Sequence, residues 1–250
     1  NEDRFKALVD QLARLHNNGR EIILVSSGAI GAGVEALGMS GRPKTLPDLQ
    51  MAAAVGQMRL MNRYAEHFAN YQCIIGQVLL THSDLEHRLR HLNARNTMMN
   101  LLRHRIIPVV NENDVIAVEE IKFGDNDHLA SLVSMLVDAD LLVLLTSVDG
   151  LQAPARPNST EMARVSYLSG LTEETLGLTW GKESELSSGG MASKLQSAGA
   201  AVSVGIPVII ADGYDSEVLF KIVNGDDCGT FIGPIDSESD KKRVLPSKKR

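Results

Sequence analysis

Apolar and polar residues alternate along this chain in two kinds of block. The aliphatic runs EIILVS (21–26), IIPVV (106–110), LLVLL (141–145) and PVII (207–210) have the length and continuity of strands buried on both faces, and IIGQVLL (74–80) reads as a further strand. Helical spacing fills the intervals. Residues 4–17 put Phe5, Leu8, Leu12 and Leu15 on one face and meet a natural stop at Gly19. Residues 46–71 are rich in helix formers, with Pro47 in the first turn. A third helix is expected from a cap at Ser83 or Asp84 to about residue 104. Strand, loop and helix in repeated order predict a parallel sheet with right-handed crossovers. The fold class expected is therefore α/β, an open, mainly parallel sheet covered by helices on both faces. Residues 152–161, with Pro154, Pro157 and Asn158, predict an exposed loop, and 224–227 a turn before a last strand at 230–232.

Composition narrows the class. The 250 residues make one large domain or two small ones. Only 4% are aromatic against 44% apolar overall, so the core must be aliphatic. A net charge of −6 argues against nucleic-acid binding by bulk electrostatics. No apolar run approaches the roughly 20 residues of a membrane span, and Cys73 and Cys228 cannot make a disulfide framework or a zinc cluster. The opening residues, Asn1 to Arg4, do not read as a signal peptide, so a cytoplasmic protein is expected. The stretch KKRVLPSKKR (241–250) holds six basic residues in ten and reads as a solvated linker in preference to a nucleic-acid tail.

Parallel sheets bind their ligands outside the carboxyl ends of the strands, so the residues just beyond each run are the candidates for chemistry. SSGAIGAG (26–33) comes after the first. Gly28, Gly31 and Gly33 would let backbone approach a ligand, and the next helix would aim its amides at an anion. The spacing is neither the dinucleotide fingerprint nor a Walker loop, and a merely packed turn is the alternative. NENDVIAVEEIKFGDND (111–127) comes after the third run. Its Asn111, Glu112, Asn113, Asp114, Asp125, Asn126 and Asp127 suit an ammonium group, a metal or bound water, or else flank a plain hairpin as turn residues. LLTSVDGL (144–151) ends the fourth run in hydroxyls and a turn. Finally, SSGGMASKL (187–195) sets Ser188, Gly189 and Gly190 before a helix with Lys194 one turn in, which fits phosphate binding or, more plainly, a surface lysine.

Taken together, SSGAIGAG, NEND with GDND downstream, LLT-x-x-x-GL and GGM-x-x-K-L resemble the amino acid kinase family in order and spacing, over residues 21–233. Within it they look most like the branch that phosphorylates glutamate on its side chain. The resemblance implies a three-layer sandwich and a kinase domain over residues 1–233, with 234–250 a basic linker toward a small C-terminal PUA domain. It also implies a preceding strand bearing Lys-x-Gly-Ser or Thr, expected to lie outside this sequence. By resemblance, ATP would donate its γ-phosphoryl to the L-glutamate carboxylate, giving γ-glutamyl phosphate and ADP on the way to proline. Lys194 would stand beside the moving phosphoryl group, and Asp127 would orient catalytic lysines. Ser27, Gly28, Ala29, Asp114 and Asn126 would hold glutamate. Thr146, Ser147, Ser188, Gly189, Gly190, Met191, Ala192, Ser193 and Lys194 would hold ATP, with Ser147 standing where the family commonly has Asp. Magnesium would be carried mostly by phosphates and water, with no dedicated protein cage. Feedback inhibition by proline and a homo-oligomer are implied as well. Three alternatives stay open: the kinase part of a bifunctional pyrroline-5-carboxylate synthase, another acceptor within the family, and a catalytically silent nucleotide- or amino-acid-sensing module.

Overall fold

A computed structural model describes residues 2–117, 126–154, 160–171 and 190–233. They form two compact units, which divide between Leu129 and Ala130. Both units fall within the span 1–233 expected as a kinase domain, and 234–250 lies outside the described residues.

The first unit holds α1 (Glu2–Asn17), β1 (Leu24–Val25), α2 (Ala29–Ala36), α3 (Leu46–Ala69), β2 (Ile74–Leu80), α4 (His82–Glu86), α5 (Arg88–Arg103) and β3 (Ile106–Glu112). Its sheet is wholly parallel, in the order β1-β3-β2. Strand β2 matches its predicted run and pairs along its whole length, from Ile74 opposite Ile106 to Leu80 opposite Glu112. Strand β1 differs from expectation. It is two residues long and half-buried, in place of the predicted six residues buried on both faces. Among the described residues only β3 pairs with it, at Leu24↔Val109 and Val25↔Val110, so most of the run has no ladder to join. Helix α1 buries Val9, Leu12, Ala13 and Leu15, and α3 buries Leu49, Ala52, Ala53, Leu60, Tyr64 and Phe68.

The cap expected at Ser83 or Asp84 is Thr81. Its hydroxyl accepts from the Asp84 N–H, and its own N–H donates to Asp84 Oδ2 at 2.9 Å, a reciprocal capping box. Asp84 thus serves as the box's third helical residue. The predicted single helix is broken at His87, whose extended backbone separates α4 from α5.

The second unit takes over α6 (Asn126–Val137), whose first turn belongs to the first unit, and adds β4 (Leu142–Thr146), β5 (Gln152–Pro154), β6 (Met162–Arg164), β7 (Tyr167–Leu168), α7 (Gly190–Ser203), β8 (Val208–Asp212), α8 (Val218–Asn224) and β9 (Gly229–Ile232). Its sheet runs β4-β8-β9-β7, parallel except for the β8–β9 pair. The alternation of helices with mainly parallel strands is thus as predicted, distributed over two sheets. The loop expected at 152–161 is in part a ribbon. Gln152, Ala153 and Pro154 pair antiparallel with Arg164, Ala163 and Met162. Arg164 secures it, bridging to Asp227 at 2.7 Å and donating to the Gly229 carbonyl. No helix among the described residues is long and apolar enough to cross a membrane.

Candidate functional site

Because β1, β3 and β2 are parallel, the segments beyond them leave one edge of the first sheet: 26–28, 113–114 and 81–82. The first is held on two sides. The Ser26 N–H donates to the Val110 carbonyl at 2.8 Å, and its hydroxyl shares a 2.9 Å hydrogen bond with the phenol of Tyr64 on α3. Ser27 and Gly28 are exposed beyond it, and Ala29 is buried. Gly28 sits at φ 98°, ψ 8°, a left-handed conformation suited to glycine, and caps α2 without any side-chain hydrogen bond. The first amides of α2 are therefore not covered by a capping side chain, which suits them to an anion.

The other glycines of this motif divide. A Cβ on Gly33 would lie 1.8 Å from the Ala52 carbonyl oxygen, and one on Gly56 would lie 1.8 Å from that of Ala29. Gly33 is expected from sequence to admit a ligand; instead it admits helix α3. A Cβ on Gly31 would meet nothing within 4 Å.

Near the end of β3, buried Asn111 spends its side chain on the fold. Its Nδ2 donates to Gln57 Oε1 at 2.8 Å, and its Oδ1 accepts from the Glu112 N–H at 2.9 Å. Asp114 comes next, in a turn where the Ile116 and Ala117 N–H groups donate to the Asn113 carbonyl. Burial raises the Asp114 carboxyl above its ordinary range, and the positive charge of Arg42 opposes that rise. An acid partly stripped of water and faced by one arginine is suited to pair with an ammonium group. Asn126 and Asp127 occupy the first turn of α6, both half-buried, and among the described residues the buried Asn126 Oδ1 has no hydrogen-bond partner. Asp125 lies outside the described residues.

In the second unit, Thr146 ends β4 opposite Asp212 on β8, and its carbonyl accepts from the Gly213 N–H at 2.8 Å. Ser147 is exposed beyond it. The next turn is fastened from below, since the buried hydroxyl of Thr230 accepts from the Leu151 N–H at 2.8 Å and donates to the Val165 carbonyl at 2.6 Å. Gly190, Met191, Ala192, Ser193 and Lys194 form the first turn and a half of α7; Gly190 is exposed and the other four are half-buried. The expected Ser188 and Gly189 lie outside the described residues.

Sequence reasoning missed several residues at the first sheet's edge. Tyr64 and Gln57 sit in the middle of α3, 38 and 54 residues from their partners, and no local signal marks them. His82 and His128 also meet there, with ring centroids 4.9 Å apart, and His82 Nδ1 lies 3.8 Å from Glu112 Oε1. Their one available signal is position, directly after a strand and within GDNDH.

Comparison with known proteins gives the family. Residues 1–212 match the profile of the amino acid kinase family. Glutamate 5-kinase of Clostridium tetani is 46% identical over 230 residues, covering 91% of this chain and 85% of that protein. The glutamate 5-kinases of Moorella thermoacetica and Carboxydothermus hydrogenoformans are 45% and 46% identical, and this chain covers 62% and 65% of their lengths. A carbamate kinase from Giardia lamblia, solved bound to AMP-PNP, shares the fold at a TM-score of 0.59 and 14% identity, covering 92% of this chain and 90% of that one. On its profile match and its relatives, this chain belongs to the amino acid kinase family.

Proposed function

We propose that this chain transfers the γ-phosphoryl group of ATP to the side-chain carboxylate of L-glutamate, giving γ-glutamyl phosphate and ADP, the first step toward proline. The observation that carries this reading is the pairing, at one edge of the first sheet, of a desolvated acid at Asp114 with uncovered amides at the start of α2. An α-amino acid presents an ammonium and carboxylates, and needs that combination. The names of the relatives, glutamate 5-kinases at about 45% identity, support glutamate as that amino acid.

The chemistry asks little proton transfer of the protein. A glutamate side chain ionises near roughly 4.3, so at neutral pH its oxygen is already a nucleophile. That oxygen forms a bond to the γ-phosphorus as the bond from phosphorus to the β-phosphate oxygen breaks, and ADP departs with the electron pair. Catalysis is then a matter of position and positive charge. Lys194, one turn into α7, brings its ammonium to the transferring group, and Asp127 orients the cationic groups. Ser27, Gly28, Ala29, Asp114 and Asn126 hold glutamate, with Asp114 on the ammonium and the α2 amides on a carboxylate or phosphoryl oxygen. Thr146, Ser147 and the segment from Ser188 to Lys194 hold the nucleotide. Among the described residues no group of three or more His, Cys, Asp or Glu side chains is arranged to hold a metal ion, and a magnesium ion would be carried by ATP phosphates and water. Magnesium supplies charge neutralisation on those phosphates. Proline as a feedback inhibitor, a homo-oligomeric state and a cytoplasmic setting belong to the same proposal.

The test is ADP release from Mg-ATP by the intact protein, with glutamate set against aspartate, N-acetylglutamate and uridine monophosphate. Release with glutamate alone, slowed by proline, is expected. Release with another acceptor would overturn the substrate, and nucleotide binding without release would turn the reading to a sensing module.

A further inference from the structure

Beside the acceptor residues stands a cluster with no role so far, made by the His82, Glu112 and His128 side chains. Glu112 closes β3 and is 7% exposed, a carboxylate almost wholly removed from water. Such a charge is costly unless it is compensated. His82 is the first residue of α4, directly after the Thr81 cap, and its Nδ1 stands 3.8 Å from Glu112 Oε1. Its ring also lies against that of His128, tilted by 36° at 4.9 Å between centroids. His128 belongs to the first turn of α6, one residue beyond Asp127 and two beyond Asn126. A single imidazole thus touches the strand end that leads to Asp114 and the helix turn that carries Asn126. All of these residues lie in the first unit.

We propose that His82 is a positioning residue for the acceptor site, fixing the β3 end and the first turn of α6 in mutual register through Glu112 and His128. It does not touch the acceptor. Its base is rigid, because the Thr81–Asp84 capping box sets the direction in which α4 starts. What it positions is specific too. Among the described residues the buried Asn126 Oδ1 has no hydrogen-bond partner, so no bond at that oxygen fixes its place and the helix turn must present it. Small displacements of such a group are expensive in binding and catalysis. The inference rests on the proposed phosphoryl transfer to an amino-acid acceptor.

The experiment compares wild type with His82→Ala, His82→Gln and His128→Ala in steady-state kinetics, varying acceptor and ATP separately, with melting temperatures followed in parallel. His82→Ala is expected to raise the KM for glutamate roughly tenfold and to leave the KM for ATP within about twofold. His82→Gln, whose amide can reach toward Glu112 with a donor, should recover much of the loss. His128→Ala should raise the acceptor KM in the same direction. Equal loss in both KM values, a fall in kcat alone, unchanged kinetics, or no recovery with His82→Gln while the protein stays folded would each overturn the proposal. If His82→Ala does not fold, the acceptor-KM split in His82→Gln and His128→Ala decides. Should wild type use another family acceptor and not glutamate, the substrate reading fails, and the same KM split on that acceptor judges His82. Absence of turnover with every acceptor would overturn both.

Discussion

The two units build their strand-end sites by different means. In the first, backbone rests on backbone, since Gly33 and Gly56 let α2 and α3 meet with no room for a methyl group. Buried polar side chains then brace the loops, with Tyr64 on Ser26 and Gln57 on Asn111. In the second, single side chains tie main chain together. Thr230 holds the turn after β4, and Arg164 ties the ribbon to the loop before β9. Damage should therefore be steric and global in the first unit, and a matter of individual hydrogen bonds in the second.

The strongest way to break this contrast is Gly56→Val, which drives a branched side chain into the carbonyl of Ala29. We expect a loss of roughly 3 kcal/mol or more in denaturant unfolding; a loss below about 1 kcal/mol would show that the helices can separate. Lys194→Ala should lower kcat about a hundredfold or more, close to roughly 2.7 kcal/mol of barrier, with an unchanged far-ultraviolet spectrum. Near-normal turnover would end its assigned role. Thr230→Val keeps the shape and strands one donor and one acceptor, so a cost of about 1–3 kcal/mol in thermal unfolding is expected.

Asp114 sharpens the contrast through pH. Burial raises its carboxyl above the ordinary value of 3.8 and Arg42 opposes the rise, so the folded protein takes up this proton at a higher pH than the unfolded chain. The cost of the buried charge is present at neutral pH and is relieved as pH falls through the raised value. Asp114→Asn should accordingly melt slightly higher than wild type at neutral pH while using glutamate poorly. In wild type, the KM for glutamate should climb on acidification before ordinary carboxylates titrate. A KM flat down to about pH 4 would remove Asp114 from the ammonium site. The smallest effect belongs to Gly31→Ala. With open space beside it and a helical position, it should be neutral or gain up to roughly 1 kcal/mol.

Much of this is legible in the chain. IIGQVLL and IIPVV read as strands because short runs rich in Ile, Val and Leu have few other uses, and the structure pairs them in register. Strand β1 is shorter than its run, since a run shows what could be buried and not which neighbour covers it. The cap before α4 is misplaced from sequence because Thr81, Ser83 and Asp84 are all good capping types, and only the geometry separates the cap from its box partner. The β5–β6 ribbon is obscured in the sequence by Pro154, Pro157 and Asn158, residue types that read as a loop. Among the site residues, Gly28 is legible from its place between strand and helix. The role of Gly33 is not, because a glycine needed by a neighbouring helix looks the same as one needed by a ligand.

The brace between Ser26 and Tyr64 has a kinetic consequence. The loop that presents Ser27 and Gly28 is bonded to β3 on one side and to the 24-residue helix α3 on the other, so to swing open it must break these bonds or carry α3 with it. A molecule arriving there meets a surface already formed. Its association rate should be governed by diffusion, charge and the shedding of water, with no slow opening step of this loop ahead of it.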